Sequence, residues 1–346
     1  MRYTYVLLLL PLIFVSCEEA ILGDFPANDP ESVFELFWDD FDKHYSLFIE
    51  RDVNWDSLYT VYRPQVTATT TEEELWIICT NLLEHLDDGH TFMRKYNPLE
   101  TFVSGGQTLN QQSEQEFSTN LVRSEYLATT TDLPSEDIFY GKLRDKDIGY
   151  IYLAHQSGSD ASMIDQVIDV LKIHKAIIVD IRQNAGGSAY YAARIAGVFA
   201  DSEQLIYTSA TRNGKNHDDF NTPTEFYSQK AGDEQYLKPV IVLTDRGTIS
   251  AGELFLLHIK AFAHVTQIGT TTSGDFGRTS NRRFLPNGWT YRYSVGRVLL
   301  PDGQNIDGIG CIPNVYIKNT IGDIAANNDK VLEKAIDYLW TTYGIE

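Results

Sequence analysis

Residues 176–200 read AIIVDIRQNAGGSAYYAARIAGVFA. A short apolar run, interrupted only by Asp180, passes through the pair Gly186-Gly187 into a stretch whose apolar positions recur at helical spacing. A strand that is apolar on both sides belongs in a sheet covered on both faces, and a helix straight after it is how parallel sheets are covered. The same unit recurs around it. PVIVLTD (239–245) leads into AGELFLLHIKAFA (251–263) and then VTQIGTT (265–271), while DIGYIYLAH (147–155) and SMIDQVIDVLKIHK (162–175) precede it. EQLIYTSA (203–210) reads as a further strand. The expected class is therefore α/β with a largely parallel sheet.

Outward from this core the texture changes. DPESVFELFWDDFDKHYSLF (29–48) predicts a helix with Asp29 as cap and Pro30 at its first position. VNWDSLYTVYRPQV (53–66) predicts a shorter one, and TEEELWIICTNLLEHLDDG (71–89) a third, opened by the Thr71/Glu74 capping box and closed by Gly89. Residues 29–97 are read as a small helical domain, 98–142 as a polar connecting segment with one or two strands, and 143–346 as the α/β core. RRFLPNGWTYRYSVGRVLL (282–300) predicts a hairpin turning at Pro286-Asn287-Gly288, and NDKVLEKAIDYLW (328–340) a last helix.

With 346 residues, 43% of them hydrophobic, the chain can bury a sizeable core. A formal charge of −20 leaves no basic stripe for nucleic acid. MRYTYVLLLLPLIFVSC (1–17) has one arginine and an apolar stretch too short to span a bilayer. Its ending resembles a bacterial lipobox. That predicts a signal peptide over 1–17, lipidation at Cys17, a tether over 18–28, and a lipid-anchored protein of the bacterial cell envelope, on the periplasmic or the surface face. The membrane is expected as a partner only through that anchor. Cys79 and Cys311 do not make a disulfide framework, and no Cys/His spacing predicts a metal site. Nothing in the sequence specifies an oligomeric state.

Ligands of such sheets bind at strand carboxyl ends, where loops enter helices. Two loops qualify. In QNAGGSA (183–189), the glycines let backbone approach a ligand at a helix start whose free N–H groups suit an oxyanion or a phosphate. It is neither a Walker loop nor a dinucleotide fingerprint. In TDRGTISAGE (244–253), Ser250 with Glu253 fits a capping box, and it equally fits a nucleophile at a helix N-terminus. A nucleophilic serine needs a base. Of eight histidines, His90 in LDDGHTF projects from a helix end, and His155 at a strand end is the second candidate.

Together these stretches resemble the serine peptidases of the C-terminal processing and tricorn type. IIVDIRQNAGG (177–187) looks like their strand-and-glycine signature, TISAGELF (248–255) their nucleophile stretch, and LDDGHTFM (86–93) the Asp-Gly-His-Thr segment of the tricorn-like branch. GIGCIPNVYI (308–317) is similar to the family's ending. The resemblance implies a crotonase-like core of ββα units and no cofactor. It implies Ser250 as nucleophile, His90 as base, Gly186, Gly187 and Ala251 as the oxyanion hole, and Asp307 as a group helping to arrange the imidazole. Two departures stand out. Where the processing branch has a lysine base this chain has Asp275, so a Ser–Lys dyad is excluded. Where the tricorn-like branch has a serine before its histidine, this chain has Gly89. The span 98–142 is also too short for the PDZ module of many relatives.

The expected function is hydrolysis of peptide bonds, in a peptide or protein substrate, through an acyl-enzyme on Ser250. The alternative suggested by Asp275 and Gly89 is an impaired peptidase fold that binds a peptide or apolar ligand. A crotonase-type acyl-CoA enzyme is a third reading, poorly matched by a charge of −20.

Overall fold

A computed structural model describes residues 27–105 and 107–346. The signal peptide, Cys17 and nearly all of the tether lie outside the described residues. Along the chain come helices α1 (Pro30–His44), α2 (Trp55–Tyr62) and α3 (Glu72–Glu84), then strands β1 (Phe92–Tyr96) and β2 (Leu99–Val103) and helix α4 (Gln107–Gln115). Strands β3 (Leu127–Leu133), β4 (Ile138–Leu143) and β5 (Ile148–Leu153) precede α5 (Ile164–Leu171), β6 (Ala176–Asp180) and α6 (Ala189–Ala196). After β7 (Gln204–Thr211), β8 (Thr224–Ser228) and β9 (Val240–Thr244) come α7 (Ala251–Lys260) and β10 (Val265–Gly269). The chain closes with β11 (Arg283–Phe284), β12 (Thr290–Arg292), β13 (Gly296–Leu299), β14 (Val315–Tyr316) and α8 (Lys330–Tyr343).

A seven-stranded sheet in the order β14-β10-β9-β6-β5-β4-β3 forms the centre. Its strands from β14 to β5 run parallel, and β4 and β3 add antiparallel edges. Alternation along β6 explains the double covering: Ile177 and Val179 face α5, α6 and α7, while Ile178 faces the α8 side with Val331, Leu332 and Leu339. The α/β class expected from residues 176–200 is borne out. EQLIYTSA does form a strand, β7, but it leaves the central sheet and pairs antiparallel with β8 and β13. Residues 98–142 supply β3 and β4 to the sheet itself.

The N-terminal helices share one core with the late hairpin. Phe37 and Phe41 of α1 pack against Tyr291 at centroid distances of 5.6 Å each, and Trp76 of α3 meets Trp289 edge-on at 5.2 Å. Strand β1 lies between β2 and β12, joining sequence positions some two hundred residues apart. This pairing brings the His90 segment to the α/β core. Gly89 does not close α3. The helix ends at Glu84 with His85 as its cap, and Asp87 takes the left-handed conformation (φ +45°). Gly89 is instead the residue that leaves room for the Asp275 carboxylate.

Candidate active site

Ser250 joins β9 to α7 with φ +59° and ψ −123°. Such a conformation costs a non-glycine residue on the order of 1–3 kcal/mol and persists only where the surroundings impose it. Here they do. Ser250 N–H donates to Glu253 Oε2 (3.1 Å), Ile249 N–H to the Asn184 carbonyl (3.1 Å), and Gly252 N–H to the Ile249 carbonyl (3.0 Å). Thr71 shows what an ordinary cap does: its backbone is extended (φ −73°, ψ 161°) and its hydroxyl accepts from Glu74 N–H at 3.3 Å. At Ser250 the Glu253 N–H donates to the backbone carbonyl (2.9 Å), and the backbone is far from extended.

Two amides are left free beside it. Among the described residues, the N–H groups of Gly187 and Ala251 donate to nothing. Gly186, the third expected donor, is corrected by the structure. Its N–H is already taken by Asn184 Oδ1 at 3.0 Å. What Gly186 provides is room. At φ +77° it passes so close that a Cβ would lie 2.7 Å from Ser250 Cβ and 2.9 Å from the Ile249 carbonyl oxygen. Asn184 anchors the two loops together, since its Nδ2 also donates to the Leu153 carbonyl at 2.7 Å. Sequence reading took Asn184 only as part of a signature.

His90 is buried, and its ring enters no hydrogen bond among the described residues, with Nδ1 fully enclosed. Burial pulls its pKa below the ordinary 6.5, opposed by the charges of Asp88 and Asp275. The imidazole is therefore neutral at pH 7, the form that accepts a proton. Asp88 fixes the segment by accepting from His90 N–H (2.9 Å) and Thr91 Oγ1 (2.9 Å). Burial works against its ionisation, but Arg51 and His90 hold it below the usual carboxylate range.

The two departures from the family pattern meet each other. Asp275 Oδ1 accepts from Gly89 N–H at 2.9 Å, and a Cβ on residue 89 would lie 2.7 Å from Asp275 Oδ2. A serine here would collide with that carboxylate. The same hypothetical Cβ lies 3.2 Å from Ile249 Cδ1, so the His90 loop packs directly against the residue before Ser250. Arg51, which sequence reading missed, staples the arrangement: its buried guanidinium donates to Asp275 Oδ1 (2.8 Å), to the Gly274 carbonyl (2.9 Å) and to the Asp87 carbonyl.

Glu253 completes the connection. Its carboxylate accepts from Ser250 N–H, Asp275 N–H (3.0 Å), Gly274 N–H (2.7 Å) and Thr272 Oγ1 (2.6 Å). Those donors favour the ionised form, yet complete burial and the charge of Asp275 push its pKa up to about 7. Asp307, the group expected to help arrange the imidazole, is buried. It accepts from Phe276 N–H at 3.0 Å and lies 4.0 Å from Arg51, while Asp88 and Asp275 are the carboxylates that act most on the imidazole. Burial raises the Asp307 pKa well above its usual value. His155 is spent elsewhere: Nε2 pairs with Asp137 Oδ2 (2.9 Å) and Nδ1 with the Ser157 backbone and hydroxyl (3.1 and 2.9 Å).

A pocket of about 280 Å³ opens beside Ser250, Ala251 and Gly187, walled by Tyr207, Leu254 and Phe276. A serine at a strained strand–helix turn, lining one pocket with two free amides at the edge of a covered parallel sheet, has the form of a nucleophile elbow. Residues 147–317 match the model of peptidase family S41, and residues 26–83 match that of the Tricorn protease C1 domain. Carboxy-terminal processing protease CtpA of Bacillus subtilis (strain 168) is 30% identical over 186 residues, 53% of this chain and 37% of that protein. A carboxy-terminal-processing protease of Bartonella bacilliformis is 26% identical over 183 residues, 51% of this chain and 40% of that one. The chain thus spans about two-fifths of the length of the curated relatives it matches. A protein of Parabacteroides merdae ATCC 43184 shares the fold with a TM-score of 0.78 at 29% identity, covering 90% of this chain and 97% of that one. Mature CPAF superposes at 0.69 with 11% identity over 92% of this chain and 99% of that one, a likeness of fold alone.

Proposed function

We propose that the chain is a serine peptidase working through an acyl-enzyme. His90 accepts the Ser250 proton as Oγ attacks a peptide carbonyl carbon, and the carbonyl electron pair moves onto oxygen. The Gly187 and Ala251 N–H groups receive that oxyanion. Collapse of the intermediate breaks the C–N bond, and the imidazolium returns its proton to the leaving amine. Water then repeats the sequence and frees Ser250. Asp88 and Asp275 favour the transient positive charge on His90, and Arg51 acts through them as a positioning residue. Tyr207, Phe226, Leu254 and Phe276 in the pocket wall suit an apolar side chain on the acyl side of the bond, with Arg278 standing among them.

One observation carries this reading: Ser250 is held in a costly backbone conformation beside two unused amides, which a helix cap does not require. A serine-directed fluorophosphonate tests it. The parent protein is expected to be labelled at Ser250, and Ser250→Ala and His90→Ala to lose both labelling and peptide turnover. A folded parent that resists labelling favours the non-catalytic peptide binder. For location, we propose lipid anchoring at Cys17 in the bacterial envelope, supported by the FVSC ending. Metabolic labelling with a fatty acid, absent in Cys17→Ala, checks it.

A further inference from the structure

The chain carries a net charge of −20, yet three arginines crowd around one ring. The guanidinium carbons of Arg94, Arg282 and Arg292 lie 5.9, 5.9 and 5.1 Å from the Phe92 centroid. None has a carboxylate within 4.0 Å among the described residues, although most arginines elsewhere in the chain are paired. The placement follows from strand alternation. Met93 and Tyr291 point into the helical core, so Phe92, Arg94 and Arg292 share the opposite face of the β1–β12 pair. Like charges gathered around one ring repel, and the ring face offsets part of that cost. The local field shows in Tyr96, whose pKa is lowered by its Thr290 hydrogen bond and by the charges of Arg282 and Arg94. Arg292 also donates from Nε to the His90 carbonyl at 3.3 Å, which puts the cluster at the imidazole end of the site. The pocket at the Ser250 end includes none of these three residues, although one other arginine, Arg278, lines it.

We infer that Arg94, Arg282 and Arg292 form a carboxylate-binding subsite for the part of a peptide that follows the scissile bond. The imidazole that protonates the leaving amine marks that side, so the direction along the peptide rests on the serine-peptidase reading. The binding itself does not. Substrates are then bipartite, with an apolar residue packed against Tyr207, Leu254 and Phe276 before the bond and one or more carboxylates after it, supplied by Asp or Glu side chains or by the chain terminus.

The test uses the full chain bearing Ser250→Ala and fluorescence anisotropy with three labelled peptides of one apolar sequence. One continues into Asp-Glu and ends in an amide, one is neutral with a free terminal carboxylate, and one is neutral with an amide. A carboxylate peptide is expected to bind about tenfold more tightly than the neutral amide, and the better of the two identifies the source. The preference should shrink with added salt and vanish in Arg94→Gln/Arg282→Gln. Equal affinities, no binding of any peptide, or a preference surviving the double substitution overturns the subsite. Fluorophosphonate labelling of the Ser250 parent separates the two ideas. Labelling without a carboxylate preference removes the subsite alone, and a preference without labelling removes the peptidase reading alone.

Discussion

Replacing Gly89 by serine restores the hydroxyl that the tricorn-like pattern carries, and from sequence alone it should improve the site. The geometry predicts the reverse. The new Cβ would lie 2.7 Å from Asp275 Oδ2, 3.3 Å from Asp275 Cγ and 3.2 Å from Ile249 Cδ1. Asp275 is no loose end that swings away, because Arg51, Ser273 Oγ and Gly89 N–H all hold its carboxylate. Overpacking against fixed groups costs roughly 1–3 kcal/mol. If the carboxylate moves instead, the charged hydrogen bond from Gly89 N–H goes with it, at about 1.5–3 kcal/mol. Either way Gly89→Ser should lower the melting temperature by roughly 2–6 °C for a chain of this size. The strain also falls on the residue before His90, and a displacement near 1 Å costs on the order of a hundredfold in rate. Calorimetry and the rate of fluorophosphonate labelling measure the two effects. In an Asp275→Ala background the same substitution should be nearly neutral, giving a coupling energy of about 1–3 kcal/mol. A Gly89→Ser protein that melts and labels like its parent would show that the carboxylate does not occupy that space.

The acid limb of the labelling rate should have its midpoint below pH 6.5, because burial depresses the His90 pKa and the reactive form is the neutral one. The sign for stability is the same: the contribution of His90 is full above pH 6.5 and is lost as pH falls through the depressed value, so a midpoint above 6.5 excludes the buried imidazole as base. Gly186→Ala should cost ~1–2 kcal/mol from its φ of +77°. Its Cβ would also press on Ser250 Cβ, so labelling should slow by on the order of tenfold or more, and an unaffected rate refutes the close approach.

What the sequence disclosed and what it hid divide along physical lines. The strands around residues 176–181 and 240–244 were legible because double burial leaves an apolar run that no half-exposed strand shows. Asp29 and the Thr71/Glu74 box were legible because capping is local chemistry. Ser250, Gly187 and Ala251 stand where loops enter helices, at positions that follow from the strand order. The misses are long-range. Arg51 lies 224 positions from Asp275, and no periodicity marks a guanidinium that a distant loop encloses. The pairing of β1 with β12, which carries His90 to the core, is equally invisible to any local pattern. Gly89 and Asp275 looked like two separate defects in a family pattern because their contact exists only in three dimensions.

Capping boxes make the same point within a single motif. Thr71-x-x-Glu74 and Ser250-x-x-Glu253 are the same local signature, and a sequence window cannot tell them apart. In the first, the glutamate is exposed, and its bonds to the Thr71 backbone and hydroxyl lower its pKa. In the second, the glutamate is enclosed, and its pKa is pushed the opposite way, to about 7, while its oxygens also hold the loop that carries Asp275. Burial, and the charge of Asp275 that packing brings beside it, separate the two outcomes, and both belong to the packing of the whole chain. A carboxylate that begins as a helix cap thereby ties the strained serine, through the backbone of Asp275 and the amide of Gly89, to the residue next to His90. Cap and nucleophile are therefore not exclusive roles at Ser250: the glutamate of the cap is part of what holds the serine in the strained backbone conformation on which the proposed nucleophile depends.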